Sequence, residues 1–139
     1  MEKTMNREKI IEAVKNIPIV AEKNSWAIAL DKDEGTLFYA PKNIPTNSEL
    51  HQVTDEYAIY LDENLNPNGI VVEYFRANFL KHHELFKDVT QKVFGDGKSD
   101  NNVVTIKSEQ LEKNKNAAIF KAMLESTLIK EAGTNLIPA

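Results

Sequence analysis

The chain has 139 residues, 42% hydrophobic and 27% charged, and carries a net charge of −4. This length predicts one domain that can bury a core without covalent staples. There is no cysteine, which excludes disulfides, thiolate zinc sites, iron–sulfur clusters and a cysteine nucleophile.

The spacing of Ile10, Ile11, Val14 and Ile17 predicts a first helix over 6–16. Asn6 is its expected N-cap and Pro18 its stop. Residues 19–24 give no clear signal. Trp26-Ala27-Ile28-Ala29-Leu30-Asp31 and Tyr57-Ala58-Ile59-Tyr60-Leu61-Asp62 then share one pattern, 31 residues apart. Each runs through a polar turn to a glycine, Gly35 or Gly69, and into a second apolar stretch. Alternating apolar residues around Asp/Gly turns predict two β-hairpins of one plan. In the first, Trp26, Ile28 and Leu30 share a face and Ala27 and Ala29 take the other. In the second, Ile70, Val72 and Tyr74 share a face, which leaves Glu73 on the opposite one between Val71 and Phe75. Between the hairpins, residues 41–54 form a long connection with a short edge strand near Leu50 and Val53.

Phe75, Phe79, His82, Phe86, Val89 and Val93 predict one amphipathic helix, with Asn78 as N-cap and Gly95 as its C-terminal stop. Residues 95–102 read as a flexible linker, and residues 103–106 as a short strand. Ser108 is the expected cap of a final helix ending near Ala132, about 37 Å long, with Gly133 as its stop. Between 117 and 124 this helix has almost no polar face. The expectation is that one copy of the protein cannot cover it, and that Phe120, Met123, Leu124 and Leu128 form a homodimer interface.

The expected architecture is therefore α+β: an antiparallel sheet of four to five strands from two similar hairpins, one N-terminal helix and two C-terminal helices. Residues 1–94 form the main unit, residues 95–102 the linker, and residues 103–139 a C-terminal helical segment packed on the same domain or exchanged with a second subunit.

Candidate chemistry is sparse. Asp62, Asn64, Asn66, Asn68 and Glu73 match the oxygen-ligand positions of a calcium loop. Pro67 occupies the position that needs glycine, and the flanks are strands, so the stretch reads as a wide turn. Glu73, His82 and His83 are the candidates for acid–base work. Adjacent histidines on one helix lie about 100° apart, which argues against joint chelation. The other paired acids, Asp55 and Glu56 among them, read as solvated strand ends. Tyr57, Tyr60 and Tyr74 are candidate ligand contacts, and the face with Ala27, Ala29, Ala58 and Tyr60 a candidate shallow surface. Phosphate loops, Gly-x-Ser-x-Gly and His-Glu-x-x-His are absent from the sequence.

Residues 1–75 hold 7 basic and 13 acidic residues (net −6), and residues 76–139 hold 10 and 8 (net +2). Without clustered Lys/Arg, no nucleic-acid partner is expected. The first eight residues lack the order of a signal peptide, and no apolar run approaches the about 20 residues of a membrane span. A cytoplasmic protein without cofactor or membrane contact is expected.

The stretch Asp31-Lys32-Asp33-Glu34-Gly35-Thr36-Leu37-Phe38-Tyr39, with Asn66-Pro67-Asn68-Gly69-Ile70-Val71-Val72-Glu73, resembles a group of small bacterial domains of unknown function. Those pair an Asp-rich hairpin with an Asp/Asn-x-x-Gly turn. The likeness covers residues 26–75, and the connection 41–54 and the extra helices depart from it. It implies a hairpin scaffold and transfers no functional residue. The sequence thus favours a small non-catalytic interaction module, with a ligand-binding protein or enzyme built around Glu73 and His82/His83 as the alternative.

Overall fold

The computed structural model describes residues 7–33, 35–95 and 103–135. Six strands lie in these residues: β1 (Ala27–Asp31), β2 (Thr36–Ala40), β3 (Glu49–Gln52), β4 (Ala58–Leu61), β5 (Pro67–Val72) and β6 (Val103–Ile106). They form one antiparallel sheet in the order β3-β4-β5-β2-β1-β6. The α+β class and both expected hairpins are present. The strand number is six because β3 and β6 join as the two edges.

Inner and outer faces follow the alternation of the sequence. Ile59, Ile70, Tyr39 and Ile28 align across the sheet on the inner face and are fully buried. Ala58, Val71, Phe38, Ala29 and Thr105 form the neighbouring outer row. Gly69 lies opposite Tyr60 next to an irregularity in the β4–β5 pairing. A Cβ there would stand 3.0 Å from the Ala40 Cβ. Glycine is needed because backbone and neighbouring side chain meet so closely.

The described residues also contain six α-helices: α1 (Arg7–Lys15), α2 (Ile17–Lys23), α3 (Leu80–His82), α4 (Leu85–Phe94), α5 (Ser108–Lys113) and α6 (Lys115–Asn135). A π-helical turn, Phe75–Phe79, precedes α3. The first expected helix is present as α1 and is followed by α2, and the other two expected helices are divided. Pro18 lies in the first turn of α2, where its missing N–H is no loss. The expected cap Asn6 lies outside the described residues, as do residues 96–102 of the expected linker. Asn114 adopts an extended backbone and splits the last helix. Its side-chain oxygen accepts a hydrogen bond from the Ala117 N–H at 3.1 Å, so Asn114, not Ser108, caps α6. Gly133 does not end α6; a glycine inside a helix costs only about 1 kcal/mol.

The expectation that α6 needs a second subunit for cover is corrected. Ala117, Phe120, Leu124, Leu128 and Ala132 form one stripe, and the chain's own core buries them all. Met123 is partly buried against the same core. Ala118 and Ala122, which made the helix look apolar all round, stay at least partly open to solvent. Alanine exposes little apolar area, and among the described residues Ile119 is the one large apolar side chain of α6 that stays exposed, at 42%.

Two phenols tie α6 to the sheet. The Tyr57 hydroxyl donates to the Leu128 carbonyl at 2.6 Å, and the Tyr39 hydroxyl to Glu125 Oε2 at 2.6 Å. Burial, and then the Glu125 carboxylate, push the Tyr39 pKa far up. Burial, and then the charge of Glu131, do the same to Tyr57. Both phenols therefore stay protonated and donate.

Leu124→Ala is expected to lower the unfolding free energy by about 2–5 kcal/mol, measured by urea denaturation. Sedimentation of the folded variant is expected to give the same mass as the parent. A drop in mass would restore α6 as a subunit contact.

Candidate functional site

The chemistry converges on an acid that its sequence context presented as a solvated strand end. Residues 53–57 connect β3 to β4 in a tight turn in which the Val53 and Thr54 N–H groups donate to the Tyr57 carbonyl at 3.0 and 3.2 Å. The Glu56 N–H donates to Thr54 Oγ1 at 3.0 Å. This pins the Glu56 backbone and sends its side chain inward, where it is 8% exposed. A buried carboxylate is expensive without partners. Glu56 has three: His82 Nδ1 at 2.8 Å from Oε2, His83 Nε2 at 2.8 Å from Oε1, and a side-chain hydrogen bond with Glu131.

Two adjacent histidines reach one carboxylate because the expected helix breaks beneath them. The Phe79 N–H bonds back to the Tyr74 carbonyl at 3.2 Å, a π-type turn. Tyr74, at φ 53°, opens that turn in the left-handed region, an uncommon conformation for a bulky residue. Helix α3 then ends at His83, with φ −135° and ψ 69°. The 100° separation of a regular helix no longer applies, and both rings turn onto Glu56. Phe75, Phe79 and Phe86 keep the buried stripe that the sequence predicted. The histidine that joins them is His83, whose ring lies 4.2 Å from that of Phe79. The His82 side chain is 61% exposed. Asn78 lies inside the π-helical turn rather than capping a helix.

Glu131 comes from α6, one turn beyond Leu128. Among the described residues, Glu56, His83 and Glu131 are the one group of three titratable donors close enough to share an ion, with their donor atoms within 4.8 Å of one another. A groove of about 700 Å³ opens beside them, lined by His82, His83, Met123, Thr127, Lys130 and Glu131 among others. Burial pushes the Glu56 pKa up. Hydrogen bonds from His83, His82 and Glu131, with the charge of His83, outweigh that and hold it below the ordinary 4.5.

The other candidates are scattered. Glu73 lies past the end of β5 and is exposed. Tyr57 is buried, with its hydroxyl committed to Leu128. Tyr60 is half-buried, and Tyr74 is 62% exposed beyond β5 instead of continuing its inner face. These three tyrosines form no common site. Asp62 Oδ1 accepts from the Asn64 and Asn66 N–H groups at 2.8 and 2.9 Å, and Oδ2 accepts from Asn66 Nδ2 at 3.2 Å. The Asn66 N–H, foremost among these donors, holds the Asp62 carboxyl below its usual range. The acid thus serves its own turn, as an Asx motif does, and β5 carries Glu73 away to the far end of the strand. The calcium-loop match is one of sequence order only.

Glu56 and Glu131 are not among the site residues that the sequence suggests. Glu131 left a trace: it lies three residues after Leu128 and seven after Leu124, on the apolar stripe of α6. Glu56 left none beyond the Tyr57 that follows it. No protein-family model, curated protein or solved structure matches this chain.

Because the folded Glu56 pKa lies below 4.5, its contribution to stability is complete above that value and lost as pH falls through the folded pKa. Glu56→Gln is expected to be less stable at pH 7 and to lose less stability on acidification below 4.5. Thermal melts of both proteins from pH 7 to pH 3 measure this. Parallel curves for the two would show that Glu56 contributes nothing to the pH dependence.

Proposed function

We propose that the protein is a small-ligand-binding protein whose binding machinery is the Glu56, His82, His83 and Glu131 cluster. The observation that supports this reading is a buried carboxylate gripping two imidazoles beside an open groove. As a purely structural device the arrangement is costly, since well-packed apolar residues of similar volume often serve stability as well or better than buried ion pairs. As a binding device it is apt. The carboxylate fixes both rings, and the groove joins donors and acceptors to the apolar wall of Met123 and Phe86. The site keeps His82 and His83 from the sequence reading, puts Glu56 in the place of Glu73 and adds Glu131.

A second reading, a non-catalytic interaction module, is favoured by the outer face of the sheet. Phe38 is 37% exposed there. It borders a concave region of about 870 Å³ with Ala27, Ala29, Ile44 and Thr105. A protein partner or a second copy would meet the sheet on this face rather than along α6.

Histidine-ring NMR signals followed during titration with inorganic phosphate, citrate and small amines separate the two readings. Saturable shifts of the His82 and His83 rings, reduced in Glu56→Gln, are expected for at least one probe. Rings that ignore every probe, together with concentration-dependent shifts confined to Phe38 and Thr105, would replace ligand binding by the interaction module.

A further inference from the structure

We propose that Glu56, His83 and Glu131 bind a divalent transition-metal ion, with zinc as the reference case, and that one coordination position faces the groove. This deepens the reading above and rests on it, since it names the ligand of the same cluster. One imidazole nitrogen with two carboxylate oxygens is a donor set that suits zinc and its first-row neighbours.

The spacing fits. Zinc bonds of about 2.0–2.2 Å place tetrahedral donors about 3.3–3.6 Å apart. The Glu56, His83 and Glu131 donor atoms all lie within 4.8 Å of one another. The 2.8 Å approach of His83 Nε2 to Glu56 Oε1 needs to open by only about half an ångström.

The charges fit as well. Two carboxyl groups this close repel when both are ionised. A hydrogen bond between them requires that one carry a proton, and a second proton lies in the hydrogen bond between His83 Nε2 and Glu56 Oε1. A divalent ion takes the place of both and neutralises the two carboxylates. The carboxyl proton leaves to solvent, and the one at Nε2 leaves to solvent or is carried instead on His83 Nδ1, as wherever protonated ligands take up a metal.

The three donors stand on separate, independently braced elements. Glu56 sits in the tight 53–57 turn. His83 packs against the ring of Phe79 at a centroid distance of 4.2 Å, with the Phe86 ring edge-on at 6.3 Å. Glu131 is one turn past Leu128, whose carbonyl the Tyr57 hydroxyl holds at 2.6 Å. Such bracing is what a metal site needs to keep its ligands in place. His82 is then a positioning residue: from Nδ1 it holds Oε2 of Glu56 and turns Oε1 toward the ion. Three protein ligands leave the fourth position for water or a small anion, beside Lys130 in the groove.

Calorimetric titration of the full chain with zinc chloride tests the proposal, with cobalt(II) absorption as a second readout. One ion per chain is expected, with visible cobalt bands typical of four- or five-coordination. His83→Ala and Glu131→Gln are each expected to weaken binding at least tenfold. His83→Asn serves in place of the alanine variant if circular dichroism shows that variant unfolded. His82→Asn is expected to weaken binding by about 10–100-fold while keeping the cobalt spectrum. Absence of saturable heat and of cobalt bands, or binding by Glu131→Gln and His83→Asn equal to the parent, would overturn the assignment. If metal fails to bind but the His82 and His83 rings still answer to organic or phosphate probes, only the metal is lost. If the rings answer to nothing, the binding reading falls with it.

Discussion

The placement of α6 against the sheet depends on two buried phenols. Tyr39 and Tyr57 stand on or beside the inner face and carry hydroxyls that would be orphaned without partners across the layer. Both find them on α6, in Glu125 and in the Leu128 carbonyl. These bonds set the axial position of the helix, which apolar packing alone leaves loose. Their consequence reaches the candidate site directly. Glu56 precedes Tyr57 and Glu131 follows Leu128 by one turn, so the bond that registers helix on sheet also brings the two carboxyl groups together.

The second determinant is a failure of regular helix geometry. A continuous helix through residues 75–94 would have buried His82 and turned His83 aside. The π-helical turn and the break at His83 shift the register between the two halves of the aromatic stripe. Phe75, Phe79 and Phe86 remain in the core, each worth about 1.5–3 kcal/mol of apolar burial. The irregular backbone keeps all three buried and frees two imidazoles to meet one acid. π-type turns are often found at functional sites.

The two sides of the sheet differ in character. The inner face is sealed by α6 and the helices around it; the Tyr39 and Tyr57 hydroxyls there are paired, while the buried Trp26 Nε1 has no hydrogen-bond partner. Toward the β3–β4 end of that layer the seal opens into the groove with the imidazole–carboxylate cluster. The outer face is covered in part by the 41–48 segment, where Ile44 approaches the Ala40 and Tyr60 region around Gly69. Around Phe38 it is open. A single domain thus offers a polar, preorganised pocket on one side and a bare apolar patch on the other.

The amino-acid order by itself determined the local elements. Alternation in Trp26–Asp31 and Tyr57–Asp62 is enough to specify both hairpins and their buried faces, because side-chain direction in a strand has a period of two. The aromatic stripe of 75–93 likewise announced its core residues. The order of six strands, the divided helices and the site were decided only by tertiary structure. Asn114 splits a helix by taking an extended backbone and capping α6 with its own side chain. Phe120, Leu124 and Leu128 look like a subunit interface until the chain's own core covers them. Glu56 and Glu131 are 75 residues apart, and no local pattern relates them. What joins them is a hydroxyl of Tyr57 that must be satisfied once it is buried, and that requirement exists only in the folded chain.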